Sequence, residues 1–177
     1  MVRNFCQSKI ILCGVGKSGL IAAKIASTLS SVGCAAFSLS ANDCLHGDLG
    51  SITRKDVLIL ISNSGKSEEI VPIIKFANRN RIKLIGIVSK KSSILYKASD
   101  IKILLPEVKE SGLGIVPTSS TSIQLAVGDA LAIAALKKKQ FSKYDFSRLH
   151  PGGNLGRQLK SVGDIMVSGR KIPFINE

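Results

Sequence analysis

Short apolar runs alternate with longer amphipathic stretches along most of this 177-residue chain. The runs at residues 9–13 (KIILC), 35–39, 56–61 (DVLILI), 83–88 (KLIGIV) and 101–104 are too short for helices and read as five strands. Between them the spacing predicts helices at residues 18–31, 68–78 and 94–98, then a long helix at 119–138 whose closing lysines, Lys137 to Lys139, complement its dipole. Strands and helices in alternation predict right-handed crossovers. The expected fold is therefore α/β: a five-stranded parallel sheet flanked by helices, a flavodoxin-like or Rossmann-like three-layer sandwich. From Gln140 onward the pattern gives way to Gly, Ser and isolated apolar residues, which reads as a loop-rich tail. One domain is expected over residues 1–160, with a tail over 161–177.

Composition narrows the classes. An apolar share of 45% excludes a disordered chain, and no uninterrupted apolar run approaches the roughly 20 residues of a membrane span. Met1 to Ser8 lack the features of a secretory signal, so a cytoplasmic protein with no membrane partner is expected. Cys6, Cys13, Cys34 and Cys44 fit neither a metal knuckle nor a redox dithiol and are expected to be reduced. A net charge of +13 admits nucleic acid, an anionic surface or an anionic small substrate. The basic residues are scattered singly or in twos and threes, as on solvated helix faces, and there is no Trp and no basic-aromatic interleaving. No nucleic-acid partner is expected.

In an open α/β sheet, ligands bind beyond the C-terminal ends of the strands. After the first strand, Gly14, Gly16 and Gly19 satisfy G-x-G-x-x-G, but the second strand ends Ser38-Leu39-Ser40 without the acid a dinucleotide ribose needs. A P-loop fails because its first glycine would fall on Ile11. The glycines could also simply tighten a strand-to-helix turn. After the third strand, Ser62-Asn63-Ser64-Gly65-Lys66-Ser67-Glu68-Glu69 brings hydroxyls and a glycine to a helix start, a phosphate cradle that needs no metal. A purely capping role for those serines is the plainer alternative. A third hydroxyl cluster, Pro117 to Thr121, opens the long helix. Three such turns at one end of a sheet favour a small phosphorylated ligand.

Four strings together resemble the sugar isomerase (SIS) domain of D-arabinose-5-phosphate isomerases: S-N-S-G-K-S-E-E-I, H-G-D-L-G at His46 to Gly50, P-T-S-S-T at Pro117 to Thr121, and H-P-G-G-N-L-G-R at His150 to Arg157. The resemblance runs from about Lys9 to Leu159. It implies interconversion of D-ribulose 5-phosphate and D-arabinose 5-phosphate on the route to Kdo, in a homotetramer without a cofactor. It places the active-site lysine on Lys17, the histidines on His46 and His150, and the glutamates on Glu69 and Glu110. Phosphate and substrate contacts fall on Ser62, Asn63, Ser64 and Ser67, with Gly16, Ser18 and Ser119 beside them. Three departures stand out. Lys66 replaces a usual acid; the segment at Glu110 is one residue shorter than usual and lacks a proline; and the usual N-terminal helix and C-terminal pair of CBS modules have no counterpart, as in a trimmed or naturally shortened chain.

An enediol isomerisation needs a base near C2, a partner for the oxygens and a grip on the phosphate. Glu69 is the candidate base, Lys17 the counter-charge to the enediolate, His150 the proton shuttle for ring opening, and His46 a substrate-orienting or loop-holding residue. Such chemistry requires no metal, and none is expected to be essential. A non-catalytic sugar-phosphate sensor and an isomerase of another ketose phosphate, such as a hexulose or heptose phosphate, are the alternatives.

Overall fold

Five strands, β1 (Ile10–Gly14), β2 (Ala36–Ser40), β3 (Val57–Ile61), β4 (Lys83–Val88) and β5 (Ile101–Leu104), lie parallel in the order β2-β1-β3-β4-β5. They come from a computed structural model that describes residues 8–152 and 162–173. The domain boundary expected at residue 160, and the part of the fourth string from Gly153 to Arg157, lie outside the described residues. The helices are α1 (Lys17–Ser31), α2 (Ala41–Leu45), α3 (Ile70–Arg79), α4 (Ile94–Ala98), α5 (Ser119–Lys139), α6 (Lys143–Leu149) and α7 (Val162–Ile165). Successive side chains of the central strands point to opposite faces, and both faces are covered, so those strands are apolar throughout. Leu12, Ile59, Ile61, Ile85 and Ile87 pack under α1 and α5. Ile11, Cys13, Leu58, Leu60 and Leu84 pack under α2, α3 and α4. The expected three-layer sandwich is the observed fold.

The first and third runs begin with a charged residue that the structure leaves just outside the strand. Lys9 Nζ lies 2.9 Å from Asp56 Oδ2, and the buried Asp56 carboxylate also accepts from the Lys9 amide and from the amide and hydroxyl of Thr53. Burial pushes this carboxyl up, but the Lys9 and Thr53 hydrogen bonds outweigh it and hold the pKa at about 2. The clamp sets the entries of β1 and β3 side by side.

One expectation needs correction, and two stretches carry more structure than the sequence showed. The region after Gln140 is not only loop: it contains α6, opened by a capping box between Ser142 and Asp145, then α7 and a 3-10 turn at Gly169–Lys171. The stretch after β2 folds as α2, with Ser40 accepting from the Asp43 amide, and a 3-10 turn at Asp48–Ser51. Finally, α5 is long and apolar enough to cross a membrane by length and composition, although polar interruptions hid this from a search for unbroken runs. Those interruptions are its packing surface. Ser120, Gln124, Gly128 and Ala132 recur every fourth residue as the buried stripe, and a Cβ on Gly128 would sit 2.2 Å from Ile25 Cδ1 of α1. Lys24 and Asp129 pair across the same seam. The helix is a layer of the sandwich.

Cys13, Cys34 and Cys44 carry no disulfide; Cys6 lies outside the described residues. The Cys13 and Cys44 side chains hydrogen-bond to one another inside the core, which pushes the Cys13 thiol far above its ordinary range.

Candidate active site

The chain leaves β1 toward β2 and leaves β3 toward β4, so a crevice opens between the C-terminal ends of the adjacent strands β1 and β3. On one side of it the backbone passes too closely for side chains. A Cβ on Gly14 would lie 2.8 Å from the Ser18 carbonyl and 2.9 Å from that of Ile61, and Gly16 has φ 56°. The turn thereby brings the start of α1 against the strand ends, with Lys17 exposed as its first residue.

On the other side, the turn after β3 uses its own hydroxyls as braces. The Ser62 amide donates to Ile87 O at 3.0 Å, while Ser62 Oγ accepts from the Gly65 amide at 3.0 Å and Ser64 Oγ from the Lys66 amide at 3.3 Å. Gly65 has φ 64°, and a Cβ there would meet Ser93 Oγ at 2.5 Å. With an oxygen lone pair of each serine engaged, its hydroxyl hydrogen is left to donate elsewhere. The amides of Ser67, Glu68 and Glu69 make no hydrogen bond among the described residues, and α3 starts at Ile70. Hydroxyls and free amides that converge at a helix start form an anion cradle.

The helix expected from residue 68 starts at Ile70, which makes Glu69 its N-cap, at the end of the cradle turn. With Glu68 and Leu45 it lines a cleft of about 410 Å³. His46 follows Leu45 as the exposed C-cap of α2.

Glu110 enters from beyond β5. Its Oε2 accepts from the Thr118 amide at 2.8 Å, the Thr118 hydroxyl at 3.3 Å and the Ser120 amide at 3.2 Å, so it closes the N-terminus of α5. Hydrogen bonding from Ser120 and Thr118 holds its carboxyl down at about 2. Ser119 is the first residue of that helix. Ser18 Oγ donates to Gln124 Oε1 at 3.1 Å, tying the first turn of α1 to α5. Gln124 is buried, and its Nε2 has no partner among the described residues.

Lys17, His46, the Ser62–Ser67 turn, Glu69 and Glu110 thus share the C-terminal edge of the sheet. His150 does not join them within the chain. Helix α5 carries the backbone about 31 Å away from that edge, at 1.5 Å per residue. At its far end Lys139 Nζ bonds to Gly33 O, and the Phe141 ring crowds Gly33, just before β2 begins. The seven residues of α6 then span only about 10 Å. There the His150 ring stacks on Phe146, centroids 3.8 Å apart, with Nδ1 2.8 Å from Phe146 O.

Sequence reasoning missed Ser89 and Gln124. Ser89 opens the loop after β4, which lacks the glycines that marked the other turns. Gln124 was detectable as a polar residue on the stripe that includes Gly128. Among the described residues no group of three or more His, Cys, Asp or Glu is placed to hold a metal ion.

Comparison with known proteins gives a consistent picture. The SIS domain profile matches residues 5–134. The arabinose 5-phosphate isomerase KdsD of Salmonella typhi is 44% identical over 174 residues, 97% of this chain and 53% of its own length, and that of Yersinia pestis is 44% identical over 173 residues. The chain therefore spans about half the length of these relatives. Among solved structures, an Escherichia coli CFT073 protein in complex with arabinose 5-phosphate superposes with a TM-score of 0.81 at 38% identity, covering 84% of this chain and 79% of that one.

Proposed function

The chain belongs to the SIS domain family, and from that premise we propose that it interconverts D-ribulose 5-phosphate and D-arabinose 5-phosphate through an enediol, as a step toward Kdo and lipopolysaccharide or capsule. The observation that carries the reading is the donor-lined turn at Ser62–Ser67, with Glu69 at its end and Lys17 across the crevice. The names of the relatives and the neighbour bound to arabinose 5-phosphate support the same substrate class.

The phosphate binds the hydroxyls of Ser62, Ser64 and Ser67 and the free amides of Ser67 to Glu69, with Asn63 on the outer edge of the turn. Anchoring at that end holds the chain of the sugar across the cleft, so the binding energy is used for orientation. The Glu69 carboxylate removes the proton from C2 of the aldose, or from C1 of the ketose, and returns it to the neighbouring carbon. Lys17 offsets the charge that develops on the enediolate oxygens. His46 orients the sugar, and His150 passes the proton that opens the ring. Glu110 is held as an anion, so it positions the start of α5 and, through Gln124, the first turn of α1.

His150 acts on this reading from a neighbouring subunit of a homo-oligomer, a tetramer by the family resemblance. Its distance along α5 from its own cleft supports that arrangement, as does the exposure of Leu20, Leu113, Ile115 and Ile133.

The test is direct. Protein treated with a chelator and supplied with D-ribulose 5-phosphate should produce D-arabinose 5-phosphate, followed by NMR. Glu69→Gln should lower turnover by about 10²–10⁴ while substrate still binds. Binding without turnover in the wild type would make the protein a sugar-phosphate sensor instead.

A further inference from the structure

The loop after β4 reaches the anion cradle at one side chain. Ser89 is buried, its amide donates to Asn63 O at 3.1 Å, and its hydroxyl donates to Asn63 Oδ1 at 2.6 Å. Asn63 itself is exposed on the turn between the two bracing serines. An asparagine amide has an acceptor edge and a donor edge, and whichever edge is fixed determines what the other offers. Here the acceptor is taken from below by a hydroxyl with little freedom to move.

We propose that Ser89 is a positioning residue for substrate binding: by engaging Asn63 Oδ1 it turns the Asn63 NH2 outward as a further donor to the substrate phosphate. The inference rests on the anion-cradle reading above. Without the Ser89 hydroxyl the amide can rotate, and half of its orientations present an acceptor to a dianion. The backbone bond from Ser89 to Asn63 would survive that loss, so the turn would keep its path while its outer donor became unreliable. Ser89 thus acts through Asn63 on phosphate affinity and leaves the chemistry at C1 and C2 alone.

A double-mutant cycle tests this, with inorganic phosphate as the binding probe and D-ribulose 5-phosphate as substrate. Ser89→Ala and Asn63→Ala should each weaken phosphate binding and raise KM by about 3- to 10-fold, the size of one lost hydrogen bond, with a much smaller change in kcat. The double variant should be no weaker than Asn63→Ala alone, because Ser89 has nothing left to orient. Ser89→Thr, which keeps the hydroxyl, should recover part of the loss. Effects that multiply in the double variant, or an Asn63→Ala protein that binds phosphate as the wild type does, overturn the proposal. The Asn63 arm decides even if Ser89→Ala folds poorly, since its side chain is exposed. A wild type that binds no phosphate would overturn the cradle as well; one that binds it with all variants equal overturns this inference alone.

Discussion

Two glutamates at one edge of the sheet have been given different work by their surroundings. Glu110 accepts three hydrogen bonds at the start of a 21-residue helix and keeps its charge down to about pH 2, which commits its carboxylate to the helix start. Glu69 caps α3 through its backbone position alone, without a side-chain bond, and faces a cleft. Because the folded pKa of Glu110 is depressed, its stabilising effect is present above the ordinary value of 4.5 and is lost as the pH falls toward about 2. Glu110→Gln should therefore lower the melting temperature at pH 7, and thermal unfolding at decreasing pH should show the gap to wild type closing across that window. A gap that is constant with pH would mean the carboxylate charge is not what the cap uses. Lys66 provides a second check at this scale. Its side chain is exposed on the cradle turn, so Lys66→Glu sets like charge beside a dianion and should raise KM at low salt, an effect that shrinks as salt is added. An unchanged KM at low salt would show that Lys66 points away.

The elements most easily read from the sequence were those whose burial is uniform. Strands β3 and β4 needed only their unbroken apolar runs, because helices cover both faces of the sheet. Helices α2 and α6 escaped because their polar sequences, ANDCL and KYDFSRL, lack the apolar stretch that marked the equally short α4, ILYKA. Their signals were local caps, Ser40 with Asp43 and Ser142 with Asp145. The same contrast runs through the site. The serine turn is contiguous and visible in the sequence, whereas Ser89 meets Asn63 across 26 residues and Ser18 meets Gln124 across 106, the first pairing set by the strand order and the second by the packing of α1 on α5. The α1–α5 seam that creates the second pairing should be sensitive to volume. Gly128→Ala puts a methyl group 2.2 Å from Ile25 Cδ1, and urea unfolding should show a loss of about 1–3 kcal/mol as α5 is pushed outward. In an Ile25→Ala background, which lacks both Cδ1 and the equally close Cγ1, the same Gly128→Ala change should cost less. An undiminished cost there would mean that the strain lies elsewhere in the seam.

At the scale of the whole molecule, the proposed chemistry draws on residues that the fold sets at opposite edges of the sheet. Lys17, Glu69 and the cradle stand at one edge of the sheet, while α5 leads His150 to the other, where Phe146 holds its ring in a stack. A helix of seven residues is too short to bring it back. If His150 acts on substrate, it acts in the cleft of a neighbour, and each working site then needs Glu69 from one subunit and His150 from another. Two differently damaged proteins can in that case repair each other. Glu69→Gln and His150→Ala chains, each inactive alone, should regain activity when denatured together and refolded as mixed oligomers. Some interfaces would then pair an intact Glu69 with an intact His150. Each variant refolded by itself should stay inactive, which separates repair from mere recovery of folding. Native mass spectrometry would establish that mixed oligomers formed. Mixed oligomers as inactive as their parents would place both residues in one subunit's site and remove His150 of the neighbour from the mechanism.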